Sequence, residues 1–238
     1  MTWKNDKSGT GLLFLAHRIP WPPNKGDKIR SHHLFRYLAR RYDMYLGTFV
    51  DDDADWAYTS ELAALCRDSH FAPLARPRAL WRSVGGLARG APFTLAYYRD
   101  KGLQQWVDGV LAGGAVRRIV VFSSAMAQYV MTAGGAGVRR VIDFVDIDSD
   151  KWAQYSRRRR SPPRSRCARE ARALSHYERE AARVFDASVF VSPMEAALFR
   201  ALAPEAAPRV HCVRNGVDWA YFSPERSFDD PFPVGCRQ

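Results

Sequence analysis

The sequence predicts a single α/β domain of Rossmann-like form, a doubly wound parallel sheet of about seven strands covered by helices. Short apolar runs rich in β-branched and aromatic residues recur along the chain, with longer helical stretches between them. Most of these runs are continuously hydrophobic instead of alternating, the pattern of strands buried on both faces.

Leu12–Ala16 reads as the first strand. The helix after it keeps its period through Ile29, Leu34, Tyr37 and Leu38, and Met44–Val50 follows as the second strand. Leu62 and Leu65 mark a helical stretch before the third run, Phe71–Leu74. Ile119–Phe122 and Val141–Phe144 are the fourth and fifth. A longer helix then carries Leu174, Tyr177, Ala181, Val184 and Phe185 toward Ser188–Val191, and Val210–Val213 closes the series. No internal repeat breaks this alternation. Residues 1–214 make up the predicted domain, and 215–238 are expected to begin a linker and a short tail.

Composition narrows the class. Apolar residues make up 47% and charged residues 26% of the 238, an ordinary globular balance that excludes disordered and low-complexity chains. Leu12–Ala16 is far too short to span a membrane, for which about 20 apolar residues are needed. The polar start, Met1–Thr10, lacks the pattern of a secretory signal, so a cytoplasmic location is expected. The four cysteines, Cys66, Cys167, Cys212 and Cys236, lie far apart and are expected as reduced thiols packed as small hydrophobes. His32 and His33 are adjacent, so on a helix they point about 100° apart, and no zinc spacing occurs. No metal and no cofactor is expected.

In such sheets ligands bind beyond the carboxyl ends of the strands. The segment after the first strand runs from His17 through Pro20, Pro22 and Pro23 to Gly26 and Asp27. Neither GxGxxG nor GxxxxGK[ST] stands there, which removes the main support for dinucleotide and P-loop readings. What stands instead is a proline-braced loop of low conformational freedom. Gly26 permits close backbone approach or a positive φ. Asp27 sits where a helix N-cap is expected, competing with phosphate for the same amide donors. The loop, with Asn24 and Lys25, therefore suits a hydroxyl-rich ligand, while Arg18, Lys25 and Arg30 could hold an anionic group. A rigid surface turn plus a cap is the alternative.

The fifth strand leads into Asp143, Asp146, Asp148 and Asp150, four carboxylates that repel unless cations or donors lie among them. In extended chain Asp146 and Asp148 point the same way. A calcium loop fails, because Lys151 takes the glycine position and Arg157 that of the closing glutamate. Two other readings stay open: the DxD of a metal-dependent sugar transferase, and a strand-end cluster, joined by Lys151, that receives substrate hydroxyls or moves a proton. Helix capping by Ser149 or Asp148 accounts for part of the cluster only. Ser123 and Ser124 after the fourth strand and Ser192 after the sixth are polar groups on the same rim, and each is also a good N-cap.

Much of the net charge of +11 comes from eight arginines between Arg157 and Arg172. Pro162 and Pro163 divide the run, so a loop is expected there, leading to a helix that starts near Cys167. Arg157–Arg160 could meet an anionic membrane surface. No aromatic residue is interleaved to stack bases, so nucleic acid is not expected as a partner.

Several stretches together resemble one family. They are AHRIPWPPNKGDKIRSHHL (Ala16–Leu34), LGTFVDD (Leu46–Asp52), LAYYRD (Leu95–Asp100), VFSSAMAQYV (Val121–Val130), DFVDIDSDKWAQYS (Asp143–Ser156) and NGVDWAYFSP (Asn215–Pro224). The chain resembles the sugar transferases associated with the exosortase/PEP-CTERM system, a branch of the family 4 retaining glycosyltransferases. That resemblance implies a GT-B fold, two Rossmann-like domains facing across a cleft, with metal-independent transfer from a nucleotide sugar to a glycan or lipid-linked acceptor in exopolysaccharide biosynthesis. It implies that the Lys25–Asp27 loop lines the cleft, that Asp146 and Asp148 carry the acceptor-side or catalytic role, and that Asn215, Gly216 and the residues to Asp218 cross between domains. The resemblance also implies a donor-binding domain after Pro224, so this sequence is expected to be the acceptor-side half, inactive alone. A non-catalytic glycan- or membrane-binding module and a metal-dependent DxD transferase are the rival expectations.

Overall fold

A computed structural model describes residues 9–74, 92–133, 137–158 and 163–217. Seven strands form one sheet: β1 (Gly11–Ala16), β2 (Asp43–Val50), β3 (Asp68–Pro73), β4 (Val116–Phe122), β5 (Arg139–Val145), β6 (Ala187–Phe190) and β7 (Val210–Cys212). Their order is β3-β2-β1-β4-β5-β6-β7 and every neighbouring pair is parallel, the predicted fold class. The chain winds outward from β1 to β3, then returns to β4 beside β1 and winds the other way. The order therefore reverses between β1 and β4, and the loops leaving those two strands flank the crevice where such sheets take ligands.

All seven predicted runs are strands, with shifted ends. β3, β4 and β5 begin earlier, taking in Asp68, Arg117, Arg118, Arg139 and Arg140, because parallel pairing continues through polar residues at the amino edge. β6 and β7 stop short of Val191 and Val213.

Side chains of β1 alternate between two cores. Leu13 and Leu15 face one that includes Val121, Ile142, Phe144, Leu103 and Phe199, while Leu12, Phe14 and Ala16 face another with Phe35, Met44, Leu46 and Phe122. Helices therefore cover both faces, as the continuous apolar runs required. Gly11 makes a close approach, donating to the Ala115 carbonyl at 3.2 Å; a Cβ there would lie 2.6 Å from that oxygen.

Among the described residues the α-helices are α1 (Gly26–Ala39), α2 (Thr59–Ala63), α3 (Phe93–Tyr97), α4 (Lys101–Ala112), α5 (Asp148–Arg158), α6 (Pro163–Val184) and α7 (Pro193–Leu202). The buried face of α1 is the predicted one only in part: Leu34 and Leu38 are partly buried against the second core. Lys28, Ser31, His32 and Phe35 are buried, whereas Ile29 and Tyr37 are 45% and 54% exposed. Lys28 can face inward because it pairs with buried Asp55, while the His32 ring packs 4.6 Å from that of Trp21. Leu62 is buried in α2 but Leu65 lies beyond it, exposed.

The arginine-rich stretch is more helical than expected. Arg157 and Arg158 belong to α5, and α6 opens at Pro163 instead of near Cys167, since proline is well suited to a first helical position. Arg159 and Arg160 lie outside the described residues, as do Asp218 and the whole of 218–238. Cys66, Cys167 and Cys212 are free thiols, and Cys236 falls outside the described residues. No helix among the described residues is long and apolar enough to cross a membrane.

Candidate functional site

The loop from β1 to α1 opens the crevice. Arg18 lies between two carboxylates, 2.9 Å from Asp27 and 3.0 Å from Asp51. His17, which the sequence reading passed over, reaches Asp27 at 3.4 Å, stacks parallel to Phe122 and meets Tyr98 edge-on. The His17 hydrogen bond, with the Arg18 charge, holds the Asp27 carboxyl well below the usual carboxylate range against the opposing effect of burial. Burial pushes the Tyr98 phenol up to about 12.

Two expectations for this loop are corrected. Lys25, not Asp27, occupies the N-cap position, and it makes no side-chain cap bond; Asp27 lies within the first turn, where the one backbone amide it accepts from among the described residues is that of Lys28, at 3.0 Å. The backbone at Gly26 does not take a positive φ, and a Cβ there would meet open space. The room at Gly26 is therefore not used by the rest of the chain. Asn24 and Lys25 are exposed beside it.

Arg30 projects from the second turn of α1 to the Asp143 carboxylate on β5, at 2.9 and 2.8 Å, and donates to the side-chain oxygen of Asn215 at 2.8 Å. Asp143 is 3% exposed; burial raises its carboxyl, and Arg30 works against that shift. Arg18 and Arg30, read from the sequence as free to hold an anion, are thus each engaged with carboxylates. Gly216, next to Asn215, is exposed with open space around it.

The end of β5 is bulged. Its register with β6 shifts between Asp143 and Val145, Val145 has φ 65°, and the Asp146 amide donates to the Phe144 carbonyl at 2.8 Å. Just after the neighbouring strand β4, Ser123 has φ 79°, and its amide donates to the Asp143 carbonyl at 2.8 Å. Among the described residues these are the two non-glycine positions with positive φ, and both lie on the rim. Each left-handed residue costs on the order of 1–3 kcal/mol, a cost the surrounding structure must offset.

Because of this turn Asp146 and Asp148 are not in extended chain, yet their carboxylates converge. Lys151 reaches Asp146 at 2.5 Å and Asp148 at 3.8 Å, and the Ser124 hydroxyl donates to Asp148 at 2.8 Å. Burial works against the Lys151 charge, but hydrogen bonding to Asp146 and the two negative charges outweigh it and raise the ammonium's affinity for its proton. Glu195 completes the group: burial and the nearby Asp146 charge raise its carboxyl. Ser192 acts as the N-cap of α7, accepting from the Glu195 amide at 3.1 Å and donating to the Glu195 carboxylate at 3.2 Å. Ser123, by contrast, makes no side-chain cap bond. The Lys151 ammonium fills the space that a cation shared by a DxD pair would take. Among the described residues, no group of three or more histidine, cysteine or acidic side chains is arranged to hold a metal ion.

Glu178, missed from the sequence, supports this cluster from behind. It is fully buried on α6 and accepts from the amide and the hydroxyl of Ser149, capping the end of α5 that carries Asp148. Glu170, two turns earlier, does the same for α3, accepting from the amides of Phe93 and Thr94 and from the Thr94 hydroxyl at 2.8–3.0 Å. A signal for both was present: each interrupts the apolar stripe of Cys167, Ala171, Leu174, Ala181 and Phe185 with an acid.

The structure thus gathers Ser124, Asp146, Asp148 and Lys151 into one cluster, joined to Ser192 through Glu195, and sets Arg18 with Asp27 in a second. Such a rim offers many hydrogen-bond acceptors and few unpaired charges, a surface suited to hydroxyl groups.

No family model matches the sequence, and no curated protein matches it. Solved structures align along it, among them these two. The N-terminal domain of trehalose-6-phosphate phosphatase from Candida albicans does so with a TM-score of 0.49 at 12% identity, covering 94% of this chain and 53% of that one. UGT73P12 from Glycyrrhiza uralensis, complexed with glycyrrhetinic acid 3-O-monoglucuronide, does so with a TM-score of 0.46 at 13% identity, covering 87% and 48%. This chain spans about half the length of each.

Proposed function

We propose that the rim binds the hydroxyl groups of a glycan or lipid-linked acceptor, and that the chain is the acceptor-side half of a glycosyltransferase that uses a nucleotide sugar. The observation that carries this reading is the convergence of Asp146, Asp148, Lys151 and Ser124 at the carboxyl edge, beside the reversal of strand order. Carboxylates accept two hydroxyl hydrogens each, and a flanking ammonium and hydroxyl fix their orientation. Asp148, held by Ser124 from the turn after β4 and by the Glu178-capped start of α5, is the best-fixed acceptor for a reacting hydroxyl. Asp146 lies next to Glu195, a carboxyl with raised proton affinity, so this pair is the natural place for a proton to move.

Retention at the anomeric carbon, metal-independent transfer and a role in exopolysaccharide assembly of the exosortase/PEP-CTERM type belong to the same proposal and rest on the motif resemblance. So do a cytoplasmic location at the inner membrane and a donor site on a second lobe facing the rim. A non-catalytic glycan-binding module is the second reading, favoured by one observation: Arg18, Arg30 and Lys151 each already face a carboxylate, so the rim offers little free cationic charge for a donor diphosphate.

Calorimetric titration with acceptor glycans and with nucleotide sugars, followed by assay of nucleotide release, tests both. Acceptor binding that weakens about tenfold or more in Asp148→Asn supports the site, as expected for the loss of a charged hydrogen bond. Donor binding without acceptor binding, or binding of neither, overturns it. Acceptor binding with no nucleotide release when a second lobe is supplied leaves the module.

A further inference from the structure

Helices α5 and α6 form an antiparallel hairpin. Ser149 at the start of α5 meets Glu178 near the end of α6, and only residues 159–162 separate the helices at the other end. The base of the hairpin is the rim itself, at Asp148. Fifteen residues of α6 precede Glu178, about 22 Å of helix, so the hairpin extends away from the strand ends on the side of the candidate site.

Exposed arginines stand toward its far end. Arg157, Arg158, Arg164, Arg166 and Arg172 are exposed and meet no carboxylate among the described residues; the ion pairs of α6, Arg179–Glu205 and Arg183–Glu180, belong to its opposite end. Glu170 is the one acid between Asp150 and Glu178, and it is buried and committed to α3. Neighbouring helical positions point about 100° apart, so these guanidinium groups fan outward and do not converge on a pocket. On the flank of α5, Tyr155 is 49% exposed and packs edge-on against Trp152.

A fan of unpaired cations with an amphipathic aromatic beside it matches a broad anionic surface with an apolar layer beneath. It does not match single-stranded nucleic acid, since no aromatic residue stands between Arg157 and Arg172 to stack bases. We propose that the exposed arginines at the facing ends of α5 and α6, Arg157, Arg158, Arg164 and Arg166, dock this protein on an anionic lipid bilayer, with the strand-end rim turned toward the membrane. The inference does not depend on glycosyl transfer, because vesicle binding is read without substrate.

The test is cosedimentation of the full chain with vesicles of phosphatidylglycerol and phosphatidylcholine in about a 1:2 ratio, against pure phosphatidylcholine. Binding is expected to the mixed vesicles only and to weaken with added salt. Each basic residue near such a surface strengthens binding about fivefold, so the Ala variant at Arg157, Arg158, Arg164 and Arg166 should lose more than about a hundredfold. The Lys variant at the same four positions should bind nearly as well as the parent, since a diffuse field reads charge and not guanidinium geometry. As a control, Arg117→Ala with Arg118→Ala at the amino edge of β4 should leave binding within about twofold of the parent, because these side chains lie at the far edge of the sheet. The proposal is overturned if the Lys variant fails as the Ala variant does, if pure phosphatidylcholine binds equally, if the β4 control falls as far as the hairpin variant, or if RNA binds through these arginines while vesicles do not.

Discussion

The carboxylate of Glu178 accepts both the amide and the hydroxyl of Ser149, so a buried acid on α6 fixes the start of the helix that presents Asp148. Burial, together with the nearby Asp148 charge, pushes Glu178 up to about 8, even though its hydrogen bonds from Ser149 act the other way. Asp148 therefore stands at the mouth of a helix whose other end of the bond is a proton-sensitive group out of reach of solvent.

That arrangement has a sign in pH. Between 4.5 and about 8 the native Glu178 keeps a proton that the unfolded chain has released. Its contribution to stability is fully present below 4.5 and is lost as pH rises through about 8. Thermal melts from acid to mildly alkaline pH should show this decline in the parent and not in Glu178→Gln, which still accepts from the Ser149 amide. A Glu178→Gln curve with the same slope as the parent would show that Glu178 is not the source. Glu178→Ala, which leaves the Ser149 donors unpaired, should cost about 1–3 kcal/mol.

His32 titrates in the opposite sense. Burial, with the charges of His33 and Arg36, pushes the imidazole down to about 4 from 6.5. It is neutral in the folded protein where the unfolded chain is protonated, so its contribution is present above 6.5 and lost as pH falls toward 4. His32→Gln should flatten the acid limb of the melting profile while leaving the alkaline limb as it was. Loss of slope on the alkaline side instead would contradict this assignment.

Lys28 and Asp55 form a fully buried ion pair, with side-chain exposures of 1% and 6%. Lys28→Met strands the Asp55 charge in the interior and should destabilise by about 3–5 kcal/mol in urea unfolding. Lys28→Met with Asp55→Leu should recover most of that loss. A double variant as weak as the single one would show that packing, not charge, dominates there.

Two glycines should respond differently to the same change. Gly11→Ala drives a methyl onto the Ala115 carbonyl, a backbone atom that cannot give way, and should cost about 1–3 kcal/mol. Gly26→Ala meets nothing, so the fold should be unharmed or gain up to about 1 kcal/mol from helix propensity. Weaker glycan binding by Gly26→Ala, in a protein that melts normally, would mark the loop as a ligand contact; unchanged binding would remove it from the site.

How legible the protein was depended on what each residue needed from afar. The strands were readable because parallel pairing in a covered sheet demands apolar runs, and β1 is buried at all six positions. The convergence of Asp146, Asp148 and Lys151 was half readable: their spacing was visible, but the bulge at Val145 that turns the chain was not, since nothing local makes a valine take φ 65°. The inward face of α1 was read at Leu34 and Leu38 but missed at Lys28, which depends on Asp55, 27 residues on, and period counting treats lysine as outward by default. Arg30 looked like a free cation for the same reason, as its partner Asp143 is 113 residues away. Of the stretch read as a linker and tail, 215–238, Asn215, Gly216 and Val217 lie within the described residues.

Ser123 and Val145 invite an engineer's temptation. Glycine at either position would relax a backbone that now sits in left-handed space, and a hardier protein should result. The same relaxation would let the ends of β4 and β5 wander, blurring the spacing between Ser124 and Asp148. Ruggedness and acuity of recognition are set against each other at two adjacent joints, so selection for one in the laboratory should be paid in the other.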